Sequence, residues 1–316
     1  MNTINMFYVH QSGLQTTLQD AGRYGYQSIG LGPGGAMDPF AFKVANLLVG
    51  NEPNTLAIEV ALAGPTLECL HETIIAITGA NLSPTVNGKP APMWQALQLE
   101  KGDVVKFGKP ISGARAYIAV NGGLHVNTIL GSGAFHSKAD IGTLIRTHDT
   151  LTGKVGQRHF LWRKALSLSA RPKYDQHVVL RVLSGPDEAR FTKKSTEAFY
   201  HSAFTVKQGD RMGLFLDGVR LFANGDHLLS GGVTWGSVQV PHSGNPILLL
   251  QDRQTTGGYP RIATVASMEQ SKVAQLLPGH TVEFKKINVR EAQRHLRSQH
   301  RTMNMLAIRA LGHPIT

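Results

Sequence analysis

The stretch GLGPGGAMDPFAFKVANLLVG, residues 30–50, decides between two folds. Gly30, Gly32 and Gly35 fit the G-x-G-x-x-G spacing of a dinucleotide-binding turn, and a helix is expected directly after them. Such a turn must follow a buried strand and sit within a βαβ repeat. The residues before it, GRYGYQSI (22–29), are too polar and too broken by glycine to be that strand. The stretch therefore reads as a turn into a capped helix, and the glycine spacing as a coincidence. Asp38 is the expected N-cap, with Pro39 in the first helical position and Gly50 as stop; Phe42, Ala45, Asn46 and Val49 share one face. The start of that helix is kept as a potential anion contact.

Outward from this helix the pattern is β. Short runs bounded by Gly, Pro, Asn or Asp recur at TIIAITGA (73–80), ARAYIAVNGG (114–123), HVVLRVLSG (177–185), RMGLFLDG (211–218), PILLLQDRQ (246–254) and TVEFKKI (281–287). They do not alternate with long helices, so barrels or sandwiches are expected in place of a doubly wound sheet. Two more helices are expected. One starts after Pro186 with Asp187 and Glu188 in its first turn; the other runs from about Asn288 to Ala310 with Val289, Ala292, Leu296, Met303 and Leu306 as its apolar stripe. The fold class is thus mainly β with a few helices. GDVVKFG (102–108) is echoed by GHTVEFK (279–285), and IEVALAGPTL (58–67) by LRVLSGPDEA (180–189). These echoes suggest subdomains at 1–150 and 177–287, a basic connecting stretch at 151–176 and a C-terminal helix at 288–310.

Of the 316 residues 41% are hydrophobic and 17% charged, a globular balance, and no window approaches the ~18 apolar residues of a membrane span. The N-terminus shows no basic segment followed by an apolar one, so a cytoplasmic location is expected. The single cysteine, Cys69, excludes an intrachain disulfide or a Cys-rich zinc site and reads as a small buried hydrophobe. His125, His136 and His148 lack metal-ligand spacing, so no metal site is expected. No G-x-S-x-G occurs, and GSGAFHSK (131–138) has the wrong Gly-to-Lys spacing for a P-loop. The net charge of +11 gathers in Lys154, Arg158, Arg163, Lys164, Arg171, Lys173 and Arg181, and again in Lys285, Lys286, Arg290, Arg294, Arg297, Arg301 and Arg309. Neither cluster interleaves with aromatic platforms, which disfavours nucleic acid and favours solvated faces or surfaces for anionic partners.

The densest polar constellation follows the strand expected at 246–254. Gln251, Asp252, Arg253, Gln254, Thr255 and Thr256 lead into Gly257-Gly258, which Tyr259-Pro260 closes. Acceptors, a guanidinium fork, hydroxyls and closely approachable glycine amides together suit an amide, carboxylate or phosphate. A hairpin turn whose Asp and Thr satisfy their own backbone is the plainer alternative. A second candidate is TTLQDAGRYGYQSIG, with Gln19, Asp20 and Arg23; its plainer reading is a local Asp20–Arg23 surface ion pair. KQGDRMG, with Asp210 and Arg211, is the weakest.

TTLQDAGRYGY, GGAMDPFAFKVANLLVGN, IEVALAGPTLE, AITGAN, RAYIAVNGG, GDRMG, GSVQVP, PILLLQDRQTTGGYPRIATV and LLPGHTVEF follow one another from residue 13 to about 287. Together they resemble the KipA family, also described as the biotin-dependent carboxyltransferase or allophanate hydrolase subunit 2 family, whose members include the C-subunit of 5-oxoprolinase. The resemblance implies cyclophilin-like β-barrel subdomains in tandem. It further implies a KipI-like partner protein, a LamB/YcsF-like partner protein, and ATP-dependent hydrolysis of the lactam 5-oxo-L-proline to L-glutamate by the complex, with this chain inactive alone.

Two other activities are implied by relatives: carboxyl transfer from carboxybiotin, as in urea carboxylase, and regulation by binding a KipI-like kinase inhibitor. Covalent biotin is not expected, because no AMKM-type biotinyl-lysine segment is present. Biotin's ureido ring and the lactam both present a planar cyclic N–C=O, which needs donors at its oxygen and an acceptor for its N–H. Arg253, Gln254, Thr255 and the Gly257-Gly258 amides are the expected donors, and Asp252 the acceptor or general base. Gln19, Asp20, Arg23, Asp38, Asn81, Arg211, Gln239, Thr256 and Tyr259 are the expected ligand contacts. Two departures stand out. Gly209 replaces the serine usual before Asp-Arg-Met-Gly, and LGSGAFHSKADIG (130–142) replaces a usual LGSRST, leaving His136 or Lys138 as a different kind of donor.

Overall fold

The computed structural model describes residues 3–156, 164–225 and 228–314. Arg158 and Arg163 of the expected basic stretch lie outside the described residues. The chain forms two compact units: Met1–Arg23, Gly34–Tyr174 and Arg301–Thr316 make the first, Tyr24–Pro33 and Asp175–His300 the second. Strands dominate both, as the sequence pattern requires. Among the described residues the α-helices are α1 (Pro39–Leu48), α2 (Lys193–His201), α3 (Gln270–Ala274) and α4 (Val289–Leu311), and no helix is long and apolar enough to cross a membrane.

In the first unit a six-stranded and a five-stranded sheet share one core. The five-stranded sheet runs Gln15–Gln19, Ala57–Ala61, Ser112–Val120, Thr73–Asn81, Ala96–Leu99, with antiparallel neighbours. Its central strands are apolar on both faces because both faces are covered. Ile75, Ile77, Ile118 and Val120 point into the core with Phe7, Val9 and Leu67, while the alternate Ile74, Ala76 and Ala119 meet α1, Met303 and Ala307. Helix α1 is built as its sequence dictates: the Asp38 side chain accepts from Ala41 N at 3.0 Å, and Pro39 opens the first turn.

The glycine-rich entry does two unrelated jobs, which removes any phosphate cradle. Gly30 ends a short 3-10 turn at Gln27–Ile29, so no strand precedes it. Gly35 has φ of +88°, and a Cβ there would lie 2.8 Å from the backbone of Ala21 and Gly22. Only glycine allows that approach.

The second unit is a closed barrel in the order His177–Ser184, Arg261–Val265, Ser237–Gln239, Ile247–Leu249, Gly213–Asp217, Phe204–Gly209, Thr281–Lys286. A parallel pairing of His177–Ser184 with Thr281–Lys286 closes it. Phe199 of α2 stacks on Phe284 at 4.4 Å and contacts Phe204 at 6.0 Å. The units therefore differ in topology despite the short sequence echoes.

Several expected boundaries shift for identifiable reasons. Strand Thr150–Gly153 pairs with Ile4–Gln11, so the expected connecting stretch at 151–176 begins inside a sheet of the first unit. The helix expected after Pro186 begins only at Lys193, capped by Thr192. The carboxylate of Asp187 is held by Arg261 at 2.7 Å, and Phe191 is buried in extended conformation. Val289, expected in the apolar stripe of the last helix, is more than half exposed as its first residue.

Candidate functional site

The strand expected at 246–254 stops at Leu249. The chain then leaves the barrel, returns through a short Thr256–Gly257 strand paired with Gly231–Gly232, and re-enters at Arg261. The exit is set by side chains. Arg253 Nη1 donates to Leu250 O at 3.1 Å, removing that carbonyl from the ladder, and Asp252 turns inward.

Asp252 and Arg211 form a bidentate pair: Nε to Oδ2 and Nη2 to Oδ1, each at 3.0 Å, with both side chains about 1% exposed or less. Their backbones also meet, Asp252 N donating to Arg211 O at 2.8 Å. Arg211 is the middle residue of an Asx turn in which Asp210 Oδ1 accepts from Met212 N at 2.6 Å. The weak GDRMG motif and the dense loop are thus one structural unit. Asp252, expected as acceptor or general base, has both oxygens on a guanidinium, and Arg211, expected as a ligand contact, is its buried partner.

Arg253 differs from Arg211 in kind. It is 9% exposed and its neighbours are carbonyls, Leu250 O and, at 3.5 Å, Val233 O; among the described residues it has no carboxylate partner. Burial disfavours its charge and lowers its pKa, while Tyr24 acts in the opposite direction. Guanidinium stays protonated regardless, so the loop holds a desolvated cation.

Gln239, on the strand beside the loop, is buried and accepts from Gln254 Nε2 at 3.3 Å, while its own Nε2 has no hydrogen-bond partner. A Cβ on Gly257 would lie 2.4 Å from that Nε2. A side chain at 257 would have to displace that amide. Gln254, Thr256, Gly258 and Tyr259 are exposed and Thr255 half-buried, so the tip presents its polar groups outward.

The first-unit candidates form a different cluster. Asp20 and Arg23 do not make the local surface pair considered above. Asp20 accepts from Gly22 N and Ser132 Oγ at 2.7 Å and from Gly133 N at 2.8 Å. Arg23, 1% exposed, donates to Ala134 O at 2.6 Å and reaches Ser132 O and Ile129 O at 3.4 Å. Gln19 Nε2 donates to Phe135 O and Thr17 Oγ1, both at 3.0 Å. All three hold the LGSGAFHSK segment, the same stretch that departs from the family pattern. Within it His136 is buried and Lys138 exposed.

Asp38 and Asn81, expected as ligand contacts, serve their own elements. Asp38 is fully buried; its Oδ1 caps α1 and its Oδ2 accepts from Tyr174 OH at 3.2 Å. The carboxylate thus occupies the helix start that an anion would need. Asn81 Oδ1 accepts from Ser83 N at 3.0 Å. Behind Asp38 lies a buried network that sequence reasoning missed. Tyr117 OH accepts from Asp38 N at 2.8 Å and donates to Glu59 Oε2 at 2.7 Å, which also receives Met37 N at 2.9 Å. Burial, then the charges of Glu59 and Asp38, push the Tyr117 phenol well above its ordinary range. The signal was Glu59 itself, a carboxylate inside the apolar run AIEVA.

Known proteins share this outline. The model of the carboxyltransferase domain, subdomain A and B, matches residues 29–286. The C-subunit of 5-oxoprolinase from Escherichia coli (strain K12) is 34% identical over 319 residues, 96% of this chain and 98% of that protein. That of Haemophilus influenzae is 33% identical over 284 residues, 88% of this chain and 90% of that protein. Among solved structures the K. lactis urea amidolyase matches with a TM-score of 0.89 at 26% identity, over 97% of this chain and 20% of that one. The chain belongs to the carboxyltransferase domain family, subdomain A and B.

Proposed function

We propose that this chain is the C-subunit of a cytoplasmic, ATP-dependent 5-oxoprolinase, which opens 5-oxo-L-proline to L-glutamate together with a KipI-like protein and a LamB/YcsF-like protein. The observation that carries this reading is the match to the C-subunit of the Escherichia coli 5-oxoprolinase, which spans nearly the whole of both proteins. The loop supplies compatible chemistry. A lactam carbonyl gains negative charge as it is attacked, and fixed donors in a desolvated setting favour that charge. Arg253 is such a donor, and Gln254, Thr255 and the Gly257-Gly258 amides lie beside it. Asp252, engaged by Arg211, acts as a positioning residue. ATP is consumed by the complex, and this chain alone is inactive.

The test is L-glutamate formation from 5-oxoproline and ATP by the full mixture and by mixtures lacking each component. Omission of this chain is expected to abolish it; glutamate formed equally without the chain refutes the reading.

A second reading is a carboxyltransferase that accepts the carboxyl group of carboxybiotin carried on another chain. It is favoured by the urea amidolyase likeness over 97% of this chain. It predicts loss of carboxyl from added carboxybiotin in the presence of this protein and a carboxyl acceptor.

A further inference from the structure

Beside the Gly258-Tyr259 tip the barrel unit holds a cavity of about 90 Å³ walled by Arg190, Leu221, Val240, His242, Gly258 and Tyr259. It falls far below the ~300–1,000 Å³ of pockets for drug-sized ligands, so it has room for one small group and not for a whole nucleotide or biotin ring.

Its walls are fixed by backbone bonds. Asn224 N donates to Arg190 O at 2.7 Å, Thr192 N to Phe222 O at 3.1 Å, and Val240 N to Pro260 O at 2.9 Å. The Arg190 guanidinium has no hydrogen-bond or ion-pair partner among the described residues, although carboxylates flank it in sequence. Asp187 is taken by Arg261, and Glu188 by Lys286 and Tyr200. Gly225 lets the guanidinium pass: a Cβ there would lie 3.3 Å from Nη2. Among the described residues that line the cavity, Arg190, His242 and Tyr259 bring a guanidinium, an imidazole and a phenol and none is a carboxylate, a lining that fits an oxyanion.

We propose that Arg190, His242 and Tyr259 form a pocket for one small oxyanion, a carboxylate or a phosphate. Its occupancy would brace Tyr259 and Gly258 and so steady the loop that carries Arg253. The pocket does not depend on which of the two reactions the loop serves.

The experiment is titration of the intact protein with sodium phosphate and, separately, sodium acetate at constant ionic strength, followed by heat. Saturable binding of either anion at one site is expected, weakened at least about tenfold by Arg190→Gln through loss of the charged fork and unchanged by Lys207→Gln. Phosphate binding alone assigns a phosphate, and acetate binding alone a carboxylate. Saturable binding of neither anion, or equal affinity in Arg190→Gln, overturns the proposal. Where Arg190→Gln does not fold cooperatively, His242→Gln carries the test, and unchanged affinity there overturns it equally.

Discussion

Arg211 and Asp252 face each other through two parallel hydrogen bonds of 3.0 Å, in an environment from which water is excluded. The pair ties the Asp210–Gly213 turn to the base of the Asp252–Tyr259 loop, and two motifs 41 residues apart become one support. A buried ion pair contributes little net stability over an apolar pair, but breaking it strands a charge.

Arg211→Ala is therefore expected to cost about 3–5 kcal/mol of unfolding free energy, measured by urea denaturation. The double change Arg211→Met with Asp252→Leu should recover most of that loss. A single change that costs nothing would show that Asp252 finds another partner.

Gly257→Ala tests the close passage of Gln239. The added Cβ would meet the Gln239 amide at 2.4 Å, so loop or amide must move. Misplacement of the loop by about 1 Å is expected to lower turnover of the assembled enzyme about a hundredfold. Gln239→Ala in the same chain should return the melting temperature toward that of Gln239→Ala alone. No recovery would place the clash elsewhere.

Glu188 gives an acid-side prediction. Burial alone would raise its pKa, but hydrogen bonds from Tyr200, Lys286 and Ser184 outweigh it and hold the value below the ordinary 4.5. A folded-state value below the unfolded one stabilises above the unfolded pKa, and that stability is lost as pH falls through the folded value. Glu188→Gln should thus flatten the decline of melting temperature between about pH 5 and about pH 3. An unchanged acid limb would contradict the assignment.

Cys69 is buried, its thiol donates to His71 O at 3.1 Å, and burial pushes its pKa up to about 11. Thiolate is the reacting form. Iodoacetamide should leave the native protein unmodified at pH near 8 and label it in urea. Fast labelling of the native protein would refute this burial.

What the sequence made legible follows from locality. Asp38 and Pro39 start α1 because a cap and a ring constraint act within three residues. The strands at 73–81, 112–120 and 281–286 were visible for the same reason, since alternation and bounding turns are local. The Asp252–Tyr259 loop stood out through its density of polar groups. Its support did not, because Arg211, although it lies at the start of the neighbouring strand, is 41 residues away in sequence, and nothing in GDRMG names its partner. Asp20 and Arg23 were visible as charges, yet three residues of separation suggested that they pair. In the structure each is drawn to the backbone of residues 129–134, since buried carbonyls and amides need partners more than the two charges need each other. Tyr117 was hidden in an apolar strand buried on both faces, and Glu59 showed only as one carboxylate in the apolar run AIEVA. The early end of the 247–249 strand was hidden because a side chain, Arg253, takes the carbonyl that a ladder would have used.

The loop carrying Arg253 is proposed above as the donor site of a 5-oxoprolinase. The most direct measurement is ATP-dependent L-glutamate formation from 5-oxoproline by the complete mixture, with this chain as wild type or as Arg253→Gln. Arg253→Gln is expected to lose about a hundredfold or more in kcat, as for removal of a transition-state donor, with a melting temperature within a few degrees of wild type. Glutamate formation at the wild-type rate by a folded Arg253→Gln chain would contradict it.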